Sequence, residues 1–446
     1  MKKIKKIKDK NITVVGAGLS GLGASQLACY LGANVTLTDI NKVSIKNKNN
    51  FKNITMSLGK YPKQLTECEL MIVSPGIDCR KNSFIKKVEK NGTPIISEIE
   101  FASWFTDSKI IAITGSNGKS TVVRLLSEIL KEHYSNTMLG GNIGIPFSSN
   151  VLKELKNKTK NTIHVLEISS FQLEKVYFFK PDIACILNIS KDHLNRYKNY
   201  NEYYNTKFKI FNGNKLFYNG DDKILKEKFK NLKNTAPFSL YEDNLFSFKK
   251  DLIIKKSNKN KFINISKIKL IGKHNIQNIF AVLHITEEIN KDFNISKKII
   301  YNFKPLKHRM EKIKNSPTFI NDSKSTNLTS TAVAVNSYKK NITLILGGYS
   351  KDIIDKKAVL NIIKKKRVNK VICYGDIGTQ LLDIIKKYKF SIFIEDFQKA
   401  IIYCAKMAQK NEIILLSPGF KSFDQFNNFE ERGNAFKKHI YNYYKK

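Results

Sequence analysis

Short apolar segments alternate with helical stretches along nearly the whole chain, and this alternation restricts the possible folds more than any other feature. Residues 12–15, 35–38, 70–73 and 94–97 are the first segments of this kind. Helical stretches separate them, as the crossover connections of a parallel sheet require. The pattern therefore predicts an α/β architecture with parallel sheets.

The alternation occurs in three series. The second begins at "KIIAIT", runs through "IHVLEIS" and "DIACILNIS", and ends near residue 303, and the third contains "TFINDS", "ITLILGG", "KVICYG" and "EIILLSP". A chain of 446 residues is too long for one ordinary core. We therefore predict three α/β domains over residues 1–106, 107–303 and 304–446. The lysine-rich stretch 213–270 is predicted to be a peripheral excursion.

The chain is strongly basic, with 78 lysine and arginine residues, 38 aspartate and glutamate residues and a formal net charge of +40. Such a charge can indicate nucleic acid or an anionic surface as partner. The lysines, however, are spread along the whole chain among asparagine and isoleucine, which also have A/T-rich codons. We attribute the charge mainly to codon bias and secondly to attraction of a phosphorylated ligand, and expect no nucleic-acid partner.

The cysteines and the start of the chain indicate the cellular compartment in which the protein is found. The six cysteines show no C-x-x-C pair and mostly lie in apolar runs, which predicts reduced core thiols. Residues 11–38 are uncharged, like a signal peptide, but contain five glycines and lead into a second strand. We therefore favour a βαβ opening over an export segment, and expect a monomeric, cytoplasmic protein without membrane insertion.

A glycine turn follows the first predicted strand. "VVGAGLSG" places Gly16, Gly18 and Gly21 in the spacing G-x-G-x-x-G, and Asp39 ends the second strand. Bare glycine backbone lets a diphosphate approach the N–H groups at the start of a helix. Alone, the turn favours a nicotinamide or flavin cofactor, although a UDP-linked molecule or a plain tight turn also fits. The turn "SPGI", residues 74–77, is predicted to lie at the same sheet edge.

A second glycine turn predicts a site for the phosphates of a nucleoside triphosphate. In "ITGSNGKSTVVRLL", residues 111–124, Gly115 and Gly118 frame a turn between a strand and a helix. Lys119 supplies a positive charge for the outer phosphates, and Ser120 offers a hydroxyl to Mg²⁺. A glycine turn with a solvated lysine is the alternative. The spacing differs from the commonest phosphate loop, which would have glycine in place of Ile113.

Two further polar residues are candidates for a metal site. Glu167 ends an apolar strand, where a carboxylate is costly to bury unless it is paired or bound to metal. His193 lies just beyond another strand, although a lone histidine is more often structural. Ligands bind at the carboxyl ends of parallel strands, which favours both residues.

Several segments together resemble the Mur ligases, which form amide bonds in peptidoglycan precursor synthesis. They are "TGSNGKST", "GGNIGIP", "LEISSFQLE", "NISKDHLNRY" and "GKHNIQNIFAV". The resemblance covers nearly the whole chain in the right order. It implies a Rossmann-like N-terminal domain, a P-loop-type central ATPase domain with a mainly parallel sheet and a Rossmann-like C-terminal domain. It also implies that ATP phosphorylates a carboxylate, which an amino acid's amine then attacks.

The resemblance implies roles for individual residues of the ATP site. Lys119, His193, Lys207 and Lys324 would be catalytic. Two Mg²⁺ ions are implied, held by Ser120, Glu167, His193 and Lys207, the last as a carbamate; on residue type alone, a solvated lysine is the alternative for Lys207. The residues implied in ATP binding are Gly115, Ser116, Asn117, Gly118, Lys119, Ser120, Thr121, Asn275, Asn278, Arg309 and Asp322.

The resemblance also implies the other two substrates. "NDSKSTN" and "SPGFKSFDQFNNFEERG" are similar to segments of the member that adds D-glutamate to UDP-N-acetylmuramoyl-L-alanine. D-Glutamate would contact Lys351, Ser422 and Phe429. The residues implied around the UDP-linked substrate are Gly18, Leu19, Ser20, Asp39, Gly76 and Asn142. Phe420 and Lys421 stand where the family often has small residues, and are predicted to enlarge that loop.

Three alternatives remain at this point. Another amino acid could be the substrate of a ligase of the same family. An oxidoreductase could use the first glycine turn for a nicotinamide cofactor, but it would leave "TGSNGKST" without a role. A nucleic-acid-stimulated ATPase would explain the basic charge, although no module that reads RNA or DNA is visible.

Overall fold

The protein is described by a computed structural model. The structure describes residues 4, 6–45, 51, 53–62, 68–192, 196–242, 244–351 and 353–445. Their contacts divide the chain into two compact units. The first unit comprises the described residues of Met1–Ile189, His193–Asn264 and Gln277–Ile300, and the second those of Ser190–Asp192, Ile265–Ile276 and Tyr301–Lys446.

The first sheet has five parallel strands in the order β3-β2-β1-β4-β5. Its elements are β1 (Asn11–Val15), α1 (Leu19–Tyr30), β2 (Asn34–Asp39), β3 (Ile54–Leu58), β4 (Leu70–Val73), α2 (Ser83–Lys90), β5 (Ile95–Ser97) and α3 (Glu98–Ser103). Apolar side chains of β1, β2 and β4 are buried against α1, because both faces of a parallel sheet are covered. The four predicted strands are confirmed, and β3 is an additional edge strand.

The second sheet, also in the first unit, has six parallel strands in the order β11-β10-β9-β6-β8-β7. Its elements are β6 (Lys109–Thr114), α4 (Lys119–Lys131), β7 (Asn136–Gly141), α5 (Phe147–Asn157), β8 (Thr162–Glu167), β9 (Ile183–Ile186), α6 (Tyr200–Phe208), β10 (Lys215–Asn219), α7 (Lys223–Phe229) and β11 (Thr235–Phe238). The strand β6 lies between β8 and β9, so the chain leaves it where the strand order reverses.

The prediction of a peripheral excursion over residues 213–270 is wrong for its first half. The strands β10 and β11 extend the parallel sheet, because Leu216 and Phe217 are buried and continue its core. Only β12 (Phe246–Lys249), β13 (Leu252–Lys255) and β14 (Phe262–Asn264) form a separate antiparallel sheet. The helices α8 (Lys273–Glu288) and α9 (Phe293–Asn302) follow.

The second unit contains a six-stranded sheet in the order β15-β16-β20-β17-β18-β19, parallel except for β15. Its elements are β15 (Glu311–Asn315), β16 (Thr318–Asn321), α10 (Leu328–Asn336), β17 (Ile342–Gly347), α11 (Lys356–Ile363), β18 (Val368–Tyr374), α12 (Gly378–Ile385), β19 (Phe390–Phe393), α13 (Phe397–Met407), β20 (Ile413–Gly419) and α14 (Phe429–Lys445). The four strands predicted in this series are confirmed, flanked by the edge strands β15 and β19.

The cysteines are free thiols, and all six lie among the described residues. The buried ones are Cys79, Cys185, Cys373 and Cys404. Burial raises the pKa of Cys79 to about 11, which disfavours the reactive thiolate. Among the described residues, no helix has the length and apolar character that crossing a membrane requires.

Candidate active site

The phosphate loop joins the end of β6 to the start of α4. Gly118 is the N-cap of α4 and has a φ of 89°, in the left-handed region that favours glycine. The helix begins at Lys119, so the N–H groups of its first turn lie beside the loop, where they attract phosphate. Ser120 and Thr121 are buried in that first turn.

Asn188, which sequence reasoning did not single out, holds this loop in place. Its side-chain carbonyl accepts a hydrogen bond of 2.9 Å from the Asn117 N–H, and its amide donates to Asn117 O at 3.0 Å. The backbone carbonyl of Asn188 also accepts from the Ser116 N–H at 2.9 Å. A polar residue two positions after the end of the strand β9 was the available sequence signal. The loop is therefore fixed before any phosphate contacts it.

Two lysine ammonium groups converge on the same carbonyl of the loop. Lys119 Nζ donates to Gly115 O at 2.7 Å and to Ser116 O at 3.0 Å. Lys207 Nζ donates to Gly115 O at 3.2 Å and lies 5.0 Å from the ring centroid of Tyr203. Only 2% of Lys207 is exposed, so the alternative of a solvated lysine is wrong. The buried cation lies directly beside the phosphate loop.

Glu167 connects Ser120 with Asn142. The Ser120 hydroxyl donates to Glu167 Oε2 at 2.7 Å, and the Asn142 amide donates to Glu167 Oε1 at 2.8 Å. Only 2% of Glu167 is exposed, so this carboxylate is buried against neutral donors. Carboxylate, hydroxyl and amide oxygens are the ligands that Mg²⁺ prefers, and the donor set therefore fits that ion.

The structure describes some of the residues that are predicted to form the metal site, but not all of them. His193 lies outside the described residues. Within the described part of the chain, no group of three or more His, Cys, Asp or Glu side chains is arranged to hold a metal. The structure therefore describes three of the four predicted ligands, of which Glu167 and Ser120 are hydrogen-bonded to each other and Lys207 contacts the phosphate loop.

The two asparagines implied in adenine binding lie on α8. Asn278 packs against the phosphate loop, since a Cβ on Gly118 would lie 2.4 Å from Asn278 Oδ1. Asn275 belongs to the second unit, and its amide donates to Ile271 O at 2.7 Å. In that unit, burial and the Arg309 guanidinium lower the pKa of the neighbouring His274 to about 3.

The glycine turn of the first sheet meets the turn after β4, as predicted. The Ser74 hydroxyl donates to Gly16 O at 2.9 Å. Gly16 has a φ of 101°, and a Cβ on Gly21 would lie 1.8 Å from Gly16 O. Gly18 and Gly76, in contrast, face open space at the Cβ position. The two turns therefore form one edge of the sheet, at which Gly18 and Gly76 present bare backbone.

Asp39 holds the glycine turn through two backbone N–H groups. Its carboxylate accepts from the Ala17 N–H at 2.8 Å and from the Asn41 N–H at 2.9 Å. Leu19, in the first turn of α1, is 71% exposed at this edge, and Ser20 is half-buried beside it. Among the described residues, no side chain caps the start of α1, which leaves its first N–H groups available to an anion.

In the second unit, Asp322 is a buried hydrogen-bond acceptor. The Ser417 hydroxyl donates to its Oδ2 at 2.9 Å, and the Met310 N–H donates to its Oδ1 at 3.2 Å. Burial raises the pKa of Asp322, while the nearby Arg309 guanidinium opposes that shift. Asp322 and Arg309, both implied in ATP binding, are thus neighbours.

The residues implied in D-glutamate binding also belong to the second unit, and the structure places one of them, Phe429, beside Lys324. Lys324 Nζ lies 5.5 Å from the ring centroid of Phe429, Ser422 is buried at the start of the loop after β20, and Lys351 is exposed. The prediction that Phe420 enlarges this loop is wrong, because its ring is buried in the core of the second unit.

Arg432 fastens these loops together, and sequence reasoning did not single it out. Its fully buried guanidinium donates to Ser323 Oγ and Ser323 O at 3.0 and 2.8 Å. It also donates to Phe420 O and to the Tyr374 hydroxyl, both at 3.1 Å. A buried arginine needs several acceptors, and here they come from the loops after β16 and β20 and from the end of β18.

Family models match successive parts of the chain. The Mur ligase MurD-like, N-terminal domain matches residues 10–97, the Mur ligase middle domain residues 113–286, and the Mur ligase, glutamate ligase domain residues 308–420. The chain is 39% identical over 445 residues to the UDP-N-acetylmuramoylalanine–D-glutamate ligase of Buchnera aphidicola subsp. Acyrthosiphon pisum (strain Tuc7), with 97% of this chain and 98% of that protein covered. The ligase of the same name from Elusimicrobium minutum (strain Pei191) is 36% identical, with 98% and 99% covered.

Solved structures have the same fold. The UDP-N-acetylmuramate-alanine ligase MurC of Thermotoga maritima has a TM-score of 0.62 at 15% identity, with 98% of this chain and 99% of that chain covered. The MurF ligase of the same organism, solved with ADP, has a TM-score of 0.61 at 15% identity, with 99% and 96% covered.

The chain therefore belongs to the Mur ligase family and has its three-domain α/β fold. It is an ATP-dependent ligase that forms amide bonds. This class sets aside the alternatives of a nicotinamide-dependent oxidoreductase and of a nucleic-acid-stimulated ATPase.

Proposed function

We propose that this protein joins D-glutamate to UDP-N-acetylmuramoyl-L-alanine in peptidoglycan precursor synthesis, releasing ADP and phosphate. The observation that carries this proposal is the 34–39% identity, over nearly the full chain, to several ligases named for this reaction. The match of residues 308–420 to a glutamate ligase domain supports the same amino acid.

ATP binds at the phosphate loop. The loop N–H groups of residues 115–121 and the Lys119 ammonium contact its phosphates, and Asp322, Arg309, Asn275 and Asn278 complete the nucleotide site. Ser120 and Glu167 would hold one Mg²⁺, and His193 with Lys207, as a carbamate, would hold a second. Such ions would supply positive charge that offsets the repulsion between the phosphates and the acceptor carboxylate.

The reaction has two steps. The L-alanine carboxylate of the acceptor attacks the γ-phosphorus of ATP, ADP leaves, and an acyl phosphate forms. The amine of D-glutamate then attacks the acyl carbon, the new C–N bond forms, phosphate leaves, and the amine loses its proton. Lys119 stabilises charge on the transferred phosphoryl group, since fixed cations lower the barrier where negative charge is concentrated. Lys324 approaches the same centre.

Substrate binding divides among the three predicted domains. Residues 1–106 bind UDP through Gly18, Leu19, Ser20, Asp39 and Gly76, and residues 107–303 bind ATP and present Asn142 to the acceptor. Residues 304–446 bind D-glutamate through Lys351, Ser422 and Phe429. The bare backbone at Gly18 and Gly76 and the start of α1, which has no side-chain cap, support this assignment for UDP. The protein acts as a cytoplasmic monomer.

The test is an ADP-release assay coupled to product detection by mass spectrometry. ADP should form only when ATP, UDP-N-acetylmuramoyl-L-alanine and D-glutamate are all present, and the product should gain one glutamate residue. L-Glutamate is the control and should give almost no turnover. Equal turnover with L-glutamate, or extension by a different amino acid only, would contradict the proposed substrate.

A further inference from the structure

Arg196 connects two parts of the first unit. It contacts the turn after β4, at the edge of the first sheet where we propose that UDP binds, and it contacts Glu174 in the segment after β8. Its two terminal nitrogens donate to backbone carbonyls on either side of Gly76, to Pro75 O at 2.8 Å and to Ile77 O at 2.9 Å. The same guanidinium forms a bidentate pair with Glu174, with Nε to Oε1 at 2.8 Å and Nη2 to Oε2 at 2.7 Å. All three nitrogens of the guanidinium are therefore engaged.

The surroundings of this guanidinium make its geometry specific. Its side chain is 10% exposed and that of Glu174 is 16% exposed, so solvent screens the pair weakly. The Arg196 guanidinium carbon lies 4.2 Å above the ring centroid of Phe171, which restricts the plane of the fork. A lysine could supply the charge, but it could not reach two carbonyls and a carboxylate in one plane.

The segment that carries Phe171 and Glu174 is itself fixed to the first sheet. Glu100, in α3, accepts hydrogen bonds from the N–H groups of Tyr177, Phe178 and Phe179 at 2.8–3.0 Å. Glu174 is therefore held in a fixed position and orients Arg196. Arg196 in turn fixes the backbone of the turn around Gly76. The Ser74 hydroxyl in turn donates to Gly16 O, so the constraint reaches the glycine turn of β1.

Composition gives this residue additional weight. Only six of the 78 lysine and arginine residues are arginine. Because this chain uses lysine at most of its basic positions, an arginine indicates a position that needs the planar guanidinium group. Arg196 and the buried Arg432 both have such a requirement.

We propose that Arg196 is a positioning residue that shapes the pocket for the UDP-linked acceptor by fixing the turn Ser74–Ile77. The inference rests on the proposed function, because it takes that edge of the sheet as the UDP site. Arg196 acts through the backbone of the turn and does not take part in the chemical steps.

The experiment compares Arg196→Lys and Arg196→Ala with wild type and with Arg367→Lys. Arg367 is the matched control, since it also donates to backbone carbonyls, those of Asn336 and Tyr338, but belongs to the second unit. For Arg196→Lys, KM for the UDP-linked acceptor and Kd for UDP, measured by calorimetry, should rise about tenfold or more. The KM for ATP should stay within about twofold, and the melting temperature within a few degrees.

Each outcome has a separate meaning. If Arg196→Lys binds UDP and the acceptor as well as wild type does, the positioning role is wrong. A rise of all three KM values together with a large drop in melting temperature, in both Arg196 variants, would show a merely structural residue and would also overturn the proposal. Failure of wild type to extend the acceptor would contradict the proposed function instead, and UDP binding would still test Arg196.

Discussion

At the phosphate loop, Gly118 meets two independent requirements. Its φ of 89° is costly for any residue with a Cβ, and an added Cβ would lie 2.4 Å from Asn278 Oδ1. Gly118→Ala should therefore lower kcat/KM for ATP by about tenfold or more, because the loop must shift to relieve the contact. Steady-state kinetics with varied ATP measures this loss.

Gly213→Ala is the matched control for that substitution. Gly213 has a φ of 84°, but a Cβ there would meet nothing within 4 Å. It should cost about 1 kcal/mol of stability through backbone strain alone and leave activity unchanged. If Gly118→Ala behaves like Gly213→Ala, the close contact with Asn278 has no functional importance.

Residue type and position predicted some of the site residues and missed others for a physical reason. Ser120 and Glu167 could be proposed because a carboxylate at the end of a buried strand is unusual, and the structure does join them. Asn188 and Arg432 instead act on backbone groups far away in sequence. Such contacts leave no local pattern, so only the folded chain reveals them.

At the scale of elements, α3 and α5 meet around a buried carboxyl group. Glu98, the first residue of α3, accepts a hydrogen bond of 2.6 Å from the Ser148 N–H in the first turn of α5. Burial raises the pKa of Glu98 to about 7, and the bond from Ser148 opposes the shift. The folded protein therefore holds this proton to a higher pH than the unfolded chain does.

The stability that depends on Glu98 should fall as pH rises. It is complete below the ordinary pKa of 4.5, declines up to a pH of about 7 and is constant above that. Glu98→Gln keeps a neutral side chain, so its melting temperature should exceed that of wild type increasingly from pH 5 to about pH 7 and by a constant amount above that. The difference corresponds to at most about 3 kcal/mol.

Thermal melting at several pH values measures this effect. Glu430→Gln, the same substitution at an exposed position of α14, is the control and should stay within about 0.5 kcal/mol of wild type throughout. A constant difference between Glu98→Gln and wild type across this pH range would exclude a shifted carboxyl group at the junction.

The elements themselves were predictable where they are central and less so at the edges. The strands β4 and β9 are apolar throughout, because both faces are covered. The edge strands β3 and β19 are mostly half-exposed and mix polar with apolar residues, so they do not stand out. The same reasoning failed for β10, where a short buried run follows a lysine-rich loop.

At the scale of the whole molecule, the edge of the first sheet where we propose that UDP binds and the phosphate loop belong to different sheets. Lys119→Ala should therefore reduce kcat by about a thousandfold or more, since it removes a cation at the transferred phosphate, and leave the Kd for UDP within about twofold of wild type. Lys131→Ala, at the exposed end of the same helix, should change neither quantity. If Lys119→Ala lost UDP binding as well as turnover, the proposed division of substrates among the domains would be wrong.

The hydrogen bonds of Glu100 affect how this protein unfolds. Its carboxylate is 0% exposed and accepts the Trp104 indole N–H together with three backbone N–H groups from the segment after β8. A fragment that ends near residue 106 would lack those three backbone donors. The surface that they cover, including the Glu100 carboxylate, would then be exposed to solvent. We therefore expect the first and second sheets, which belong to the same compact unit, to unfold together.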